Sequence, residues 1–110
     1  MSAMSVQEAQ SDLNRYRNRK KRFETELAEK QHQLQDINTS ISFVQKNRPN
    51  MKLAAVSIQR LTGEKQQTEA RIAQLHGLIN DMKEEINNLE GFVHQMGAEF
   101  ANNPYLIRLH

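Results

Sequence analysis

The strongest constraint on the fold is a heptad repeat that runs without a slip through the second half of the chain. Apolar side chains, with polar exceptions at Lys65 and Thr68, recur at alternating steps of three and four residues. A period of 3.5 residues held over fifteen positions is typical of coiled-coil packing, because an ordinary surface helix drifts toward 3.6. The positions are Met51, Ala54, Ile58, Leu61, Lys65, Thr68, Ile72, Leu75, Ile79, Met82, Ile86, Leu89, Val93, Met96 and Phe100.

A similar run fills the first half of the chain. It begins after Ser5-Val6-Gln7-Glu8, a capping-box pattern that marks a helix start, and it ends before Pro49, which disfavours helical backbone at the preceding residue. We expect a disordered N-terminus at 1–4, helix 1 at about 5–47, a turn at 47–50, helix 2 at about 51–102 and an apolar tail at 104–110. The seam positions are Val6, Ala9, Leu13, Tyr16, Lys20, Phe23, Leu27, Lys30, Leu34, Ile37, Ile41 and Val44.

The short turn makes the two helices antiparallel. Pairing them about the turn places Leu13 near Ile86, and it brings Lys30, Lys65 and Thr68 into one polar layer within the seam. Such layers fix the register of a coiled coil at some expense of stability. The predicted fold is therefore all-α, a long antiparallel two-helix coiled-coil hairpin at 5–103, expected to assemble into a four-helix or larger bundle.

Composition is consistent with a thin seam rather than a globular core. Apolar residues make up 37% of the 110 residues, charged residues 25%, and Trp and Cys are absent. No apolar run approaches the roughly 18 residues that span a bilayer, so no membrane span is expected. Met1-Ser2-Ala3-Met4-Ser5 lacks the basic and apolar regions of a signal peptide, which favours the cytoplasm.

Helix 2 also contains an internal repeat on its outward side. The pattern Ile-x-x-Leu-x-Gly, which begins at Ile58, recurs fourteen and twenty-eight residues later and places a glycine at the outward f position each time. A glycine within a helix costs about 1 kcal/mol relative to alanine, so three on one face indicate close approach by another chain. The predicted protein interface comprises Val56, Gly63, Ala70, Gly77, Leu78, Gly91 and Phe92, with Tyr105, Leu106 and Ile107 of the tail as a secondary contact.

Charges beside the seam give a mixed pattern. Antiparallel coiled coils pair g with g and e with e, which sets Glu26 opposite Arg71 favourably. The same register sets Asp12 opposite Glu85, both acidic. It also sets Arg17 opposite Lys83, both basic. These two like-charge pairs suggest that an external chain supplies some of the counter-charges.

A basic run at 15–22 carries six positive charges in eight residues. Three interpretations stay open: local neutralisation by the acidic stretch of helix 2, contact with nucleic acid, or contact with an acidic protein. A membrane-surface role is less favoured because the apolar side next to these charges belongs to the seam. The candidate nucleic-acid contacts are Arg15, Arg17, Arg19, Lys21 and Arg22.

Catalytic, cofactor and metal sites are not predicted. Glu29 and His32 have the Glu-x-x-His spacing of iron-binding bundles, but the inward carboxylates and the second such motif are missing. The turn at 47–50 also lacks the tryptophan motif of small WXG-type hairpins, so no family is assigned. We expect a non-enzymatic interaction module without a small-molecule substrate, associating with itself or with another helical protein as an assembly subunit, adaptor or small chaperone. The alternative is a nucleic-acid-binding hairpin.

Overall fold

Two long helices that pack against each other form the structure, which confirms the predicted all-α hairpin. A computed structural model of the chain describes residues 5–47 and 51–102, with side chains for 5–47 and 52–97. Helix α1 spans Val6–Lys46 and helix α2 spans Met51–Asn102. The predicted disordered N-terminus and the tail at 104–110 lie outside the described residues, as do positions 48–50 of the turn.

Polar side chains close both ends of α1. The Glu8 backbone N–H donates to the Ser5 Oγ at 3.0 Å, as a capping box requires at a helix start. At the other end, the backbone N–H and the side-chain amide of Asn47 both donate to the Phe43 carbonyl, each at 3.0 Å. Asn47 therefore satisfies one of the carbonyls that the end of a helix leaves without an intrahelical partner.

The heptad positions face inward throughout the described part of both helices. Every predicted seam residue with a described side chain is buried or half-buried, and Met51 and Phe100 lie outside that set. In contrast, most residues between the seam positions are exposed. The period of the sequence thus determines which side of each helix packs.

The chain divides into two compact units. The first contains the described residues of 5–22 and 79–102, and its core is a cluster of Ala9, Leu13, Ile86 and Leu89. Leu13 and Ile86 therefore meet in one cluster, as the antiparallel pairing predicts. Tyr16, Met82, Phe92 and Val93 pack against this cluster and are partly buried.

The second unit, Phe23–Leu78, holds the predicted polar layer. Thr68 is only 5% exposed, and its hydroxyl donates to the Glu64 carbonyl at 2.8 Å, so burial leaves it with a hydrogen-bond partner. Lys30 and Lys65 are half-buried, which allows the methylene groups of a lysine to pack in the seam while its ammonium group stays in water. The buried apolar residues of this unit are Ile37, Ala54, Leu61 and Leu75.

Candidate interaction surface

The outward side of α2 carries the residues that the sequence selects as an interface. In the second unit, Val56, Gly63, Ala70 and Gly77 are exposed, whereas Leu78 is half-buried at the edge of the seam. Consecutive repeats of the glycine lie about 21 Å apart along a helix, since each residue adds about 1.5 Å.

Within the described structure, neither the backbone nor the packing of the hairpin requires these glycines. None of the four glycines of the chain has a positive φ, so none is needed for a conformation that other residues avoid. A Cβ built at Gly63, Gly77 or Gly91 meets no atom within 4 Å. Neither of the usual structural reasons for glycine therefore operates within the described hairpin.

Gly91 and Phe92 belong to the first unit, and they differ from each other. Gly91 is exposed, whereas Phe92 is half-buried and packs against the core cluster of that unit. Phe92 stands at a g position, which flanks the seam, and its large ring reaches the core from there. Its covered part supports the hairpin, and only the remaining part is available to a partner.

Glu26 and Arg71 form the predicted favourable pair between the helices. The Arg71 Nε donates to the Glu26 Oε2 at 2.5 Å and its Nη2 to the Oε1 at 2.8 Å, while its Nη1 donates to the Gln74 Oε1 at 2.7 Å. The hydrogen bonds from Arg71 lower the pKa of Glu26, and the same bonds raise the pKa of Arg71. Both side chains are about one-third exposed, so solvent screens their attraction.

One member of each predicted like-charge pair forms an ion pair with an oppositely charged residue. Arg17 instead pairs with Glu90 at 3.1 Å, one heptad beyond Lys83. Asp12 accepts a hydrogen bond from Arg15 at 2.5 Å, within its own helix. Long side chains beside the seam can reach a partner one heptad away, and attraction between opposite charges favours that partner over a nearer residue of like charge. Asp12 and Arg17 therefore each have an oppositely charged partner within the first unit.

The basic run lies on the exposed side of α1, in the first unit. All five candidate nucleic-acid contacts are exposed. Arg15 and Arg19 also lie over the Tyr16 ring, with guanidinium carbons 5.6 and 5.9 Å from the ring centroid, within the range of cation–π attraction. The run therefore takes part in contacts within the hairpin: its five candidate contacts are exposed, whereas Lys20 is a half-buried seam residue.

Two exposed apolar residues near the turn are absent from the predicted interface. Phe43 precedes the end of α1 and Leu53 follows the start of α2, and both are exposed together with Val56. The sequence contains a signal for them, because each is a large apolar residue at an outward c position of the heptad. The predicted secondary contacts Tyr105, Leu106 and Ile107 lie outside the described residues.

The described residues do not bring three His, Asp or Glu side chains together as a metal site would require. Within the same part of the chain, neither helix has a stretch apolar enough to cross a membrane. The chain matches no protein-family model, no curated protein and no solved structure.

Proposed function

We propose that the chain is a non-enzymatic protein–protein interaction module, a hairpin that self-associates and serves as an assembly subunit, adaptor or small chaperone. The observation that carries this proposal is the set of three α2 glycines, fourteen residues apart, with negative φ and open space at each Cβ position. Each destabilises its helix by about 1 kcal/mol relative to alanine. Contact with a second chain supplies the reason for them that the described hairpin lacks.

The proposed partner is a second copy of the same chain. Glycine and alanine at a contact let two helices approach more closely than the usual 8–10 Å between axes. The exposed Val56 and the partly exposed Leu78 then supply apolar area beside the small residues. Burying one such large side chain stabilises a complex by roughly 1.5–3 kcal/mol. Two α2 helices with the same spacing of small residues would be complementary to each other.

Sedimentation equilibrium of the pure protein at micromolar concentration tests self-association. The expected result is a mass greater than that of the 12.8 kDa monomer, rising with concentration. A monomer at every concentration would reject a second copy as the partner.

The second candidate is a nucleic-acid-binding hairpin that uses the basic run. Its support is the exposure of Arg15, Arg17, Arg19, Lys21 and Arg22. Binding of this kind weakens steeply with salt, because each neutralised phosphate releases counterions. Titration of duplex DNA and RNA at several salt concentrations distinguishes the candidates: a steep salt slope that disappears when these residues are changed to Gln favours the second, and no binding at physiological salt favours the first.

A further inference from the structure

Three large apolar side chains flanking the turn are exposed to solvent. Phe43 is 65% exposed, Leu53 66% and Val56 64%. Every other large apolar side chain that the structure describes is buried or half-buried. Single exposed apolar residues are ordinary on protein surfaces, but here all three lie within fourteen residues of sequence.

All three side chains belong to the second unit. Phe43 lines a shallow groove together with Ser57 and Arg60 of α2. Leu53 stands four residues before Ser57, and Val56 stands four residues before Arg60, so both lie on the side of α2 that borders this groove. We call Phe43, Leu53 and Val56 the turn-end surface.

The sequence around the turn-end surface carries only positive charge. No acidic residue occurs between Asp36 and Glu64, whereas four basic residues do. Three of them are exposed, and Arg48 lies outside the described residues. Between Asp36 and Glu64, the exposed apolar groups are thus accompanied in the sequence by basic charges alone. The four basic residues are Lys46, Arg48, Lys52 and Arg60.

We infer that the turn-end surface binds peripherally to an anionic lipid surface. The three apolar side chains enter the boundary between headgroups and acyl chains, and the exposed Lys46, Lys52 and Arg60 lie against anionic headgroups. Nucleic acid would use the charges but would leave Phe43 and Leu53 in water. A bilayer offers negative charge and an apolar interior together, and it adapts to the end of a two-helix hairpin without a matching groove.

The turn end differs from the basic run at 15–22 in the exposure of the apolar residues next to its charges. There the neighbouring apolar residues, such as Leu13 and Tyr16, are buried or half-buried in the core of the first unit. At the turn end the three apolar side chains are exposed. Val56 belongs to both proposed surfaces, whereas Phe43 and Leu53 lie outside the proposed α2 interface, so these two side chains can face a membrane in a monomer and in an oligomer alike.

A tryptophan reporter tests insertion. The chain contains no Trp, so Phe43→Trp gives a single fluorescence signal from the turn-end surface. Its emission is expected to shift to the blue when vesicles of phosphatidylcholine with phosphatidylserine are added, and to stay unchanged with phosphatidylcholine alone. His32→Trp is the control, because His32 is an exposed residue of the same unit outside the turn-end surface. Its emission should not shift with either vesicle.

Matched charge variants test the source of the attraction. K46Q/K52Q/R60Q removes three charges near the turn, and R15Q/R19Q/R22Q removes three from the basic run. Each basic residue close to an anionic surface contributes about 1 kcal/mol, so the first variant should bind phosphatidylserine vesicles about a hundredfold more weakly. The second should retain most of the affinity. Circular dichroism verifies that both variants remain helical.

An apolar variant, F43S/L53S/V56S, completes the set. Loss of three exposed apolar side chains should lower vesicle affinity at least about tenfold without unfolding a hairpin whose seam is intact. An unshifted Phe43→Trp emission overturns the inference, and so does an equal loss of affinity in the two charge variants. Binding of a synthetic acidic amphipathic helix in place of vesicles assigns the surface to a protein and overturns it as well.

Discussion

Replacement of Gly77 and Gly91 by alanine distinguishes a helix side that faces a partner from one that faces water. In the described hairpin, an added Cβ at either position meets no atom within 4 Å, so no clash opposes the better helix former. The gain is about 1 kcal/mol per site, and G77A/G91A should therefore stabilise the dilute hairpin by about 2 kcal/mol. That corresponds to a rise in melting temperature of roughly 8 °C or more.

Self-association should change in the opposite direction. If a second backbone packs against the glycines, the added methyl groups collide with it, and overpacking of this kind costs about 1–3 kcal/mol. The dissociation constant measured by sedimentation equilibrium should then rise by about 5- to 150-fold. Urea melts of the same proteins, diluted until they no longer associate, report the stability of the hairpin alone.

Gly97→Ala is the matched control. Gly97 also has no atom within 4 Å of its Cβ position, but it stands at an e position rather than at the outward f position. It should leave association unchanged. Gly63→Ala should weaken association less than the double variant, because Gly63 lies beside the polar layer and no apolar residue follows it. A double variant that is more stable yet associates like the wild type would show that the glycines face water, and the interface would be abandoned.

Three further predictions concern the seam and its charges. Leu75→Ala removes a fully buried side chain and should cost about 2–5 kcal/mol in urea melts, whereas the exposed Leu53→Ala should cost under about 0.5 kcal/mol. The pKa of Glu26 is lowered from about 4.5, so its pair with Arg71 stabilises the hairpin above that pH and is lost as pH falls through the lowered value. When the urea midpoint of unfolding is measured at decreasing pH, it should consequently fall more steeply in the wild type than in Glu26→Gln. Changing the arginines of the basic run at 15, 17, 19 and 22 to Gln should leave the thermal melt nearly unchanged, because they are exposed, and a large drop would assign them a structural role.

The sequence predicts the packed side of each helix well, because a period of 3.5 residues permits only one inward side. The same period predicts that Lys30 and Lys65 are half-buried, because both stand at seam positions. Their hydrophobicity alone would predict that both are exposed to water. The Glu26–Arg71 pair is predictable because both residues stand at facing g positions and carry opposite charge.

The remaining contacts depend on the reach of side chains, which heptad positions do not describe. The heptad register sets Arg17 opposite Lys83, whereas the Arg17 side chain reaches the oppositely charged Glu90 one heptad further along α2. Phe92 reaches the core from a flanking position because its ring is large. Exposure of Phe43 and Leu53 follows from their outward c positions in the heptad, although neither residue belongs to the glycine repeat that predicts the interface on α2.

The two ion pairs between the helices also bear on the order in which the chain folds. Glu26 and Arg71 are 45 residues apart in sequence, whereas Arg17 and Glu90 are 73 apart. Closing the 73-residue loop first costs only about 0.4 kcal/mol more in loop-closure entropy than closing the 45-residue loop first. Once the contacts near the turn have formed, however, each further contact between the helices closes only a short loop. Folding is therefore expected to start at the turn and proceed like a zipper toward the ends.

A zipper opens in the reverse order, so burial alone does not determine local stability. Leu13 and Ile37 are almost equally buried, but they belong to different units, and the unit of Leu13 is the one expected to form last and open first. Its amide should exchange with solvent deuterium faster than the amide of Ile37, and NMR-detected hydrogen exchange under native conditions measures the difference. The opposite order would mean that the core of Ala9, Leu13, Ile86 and Leu89 nucleates the hairpin.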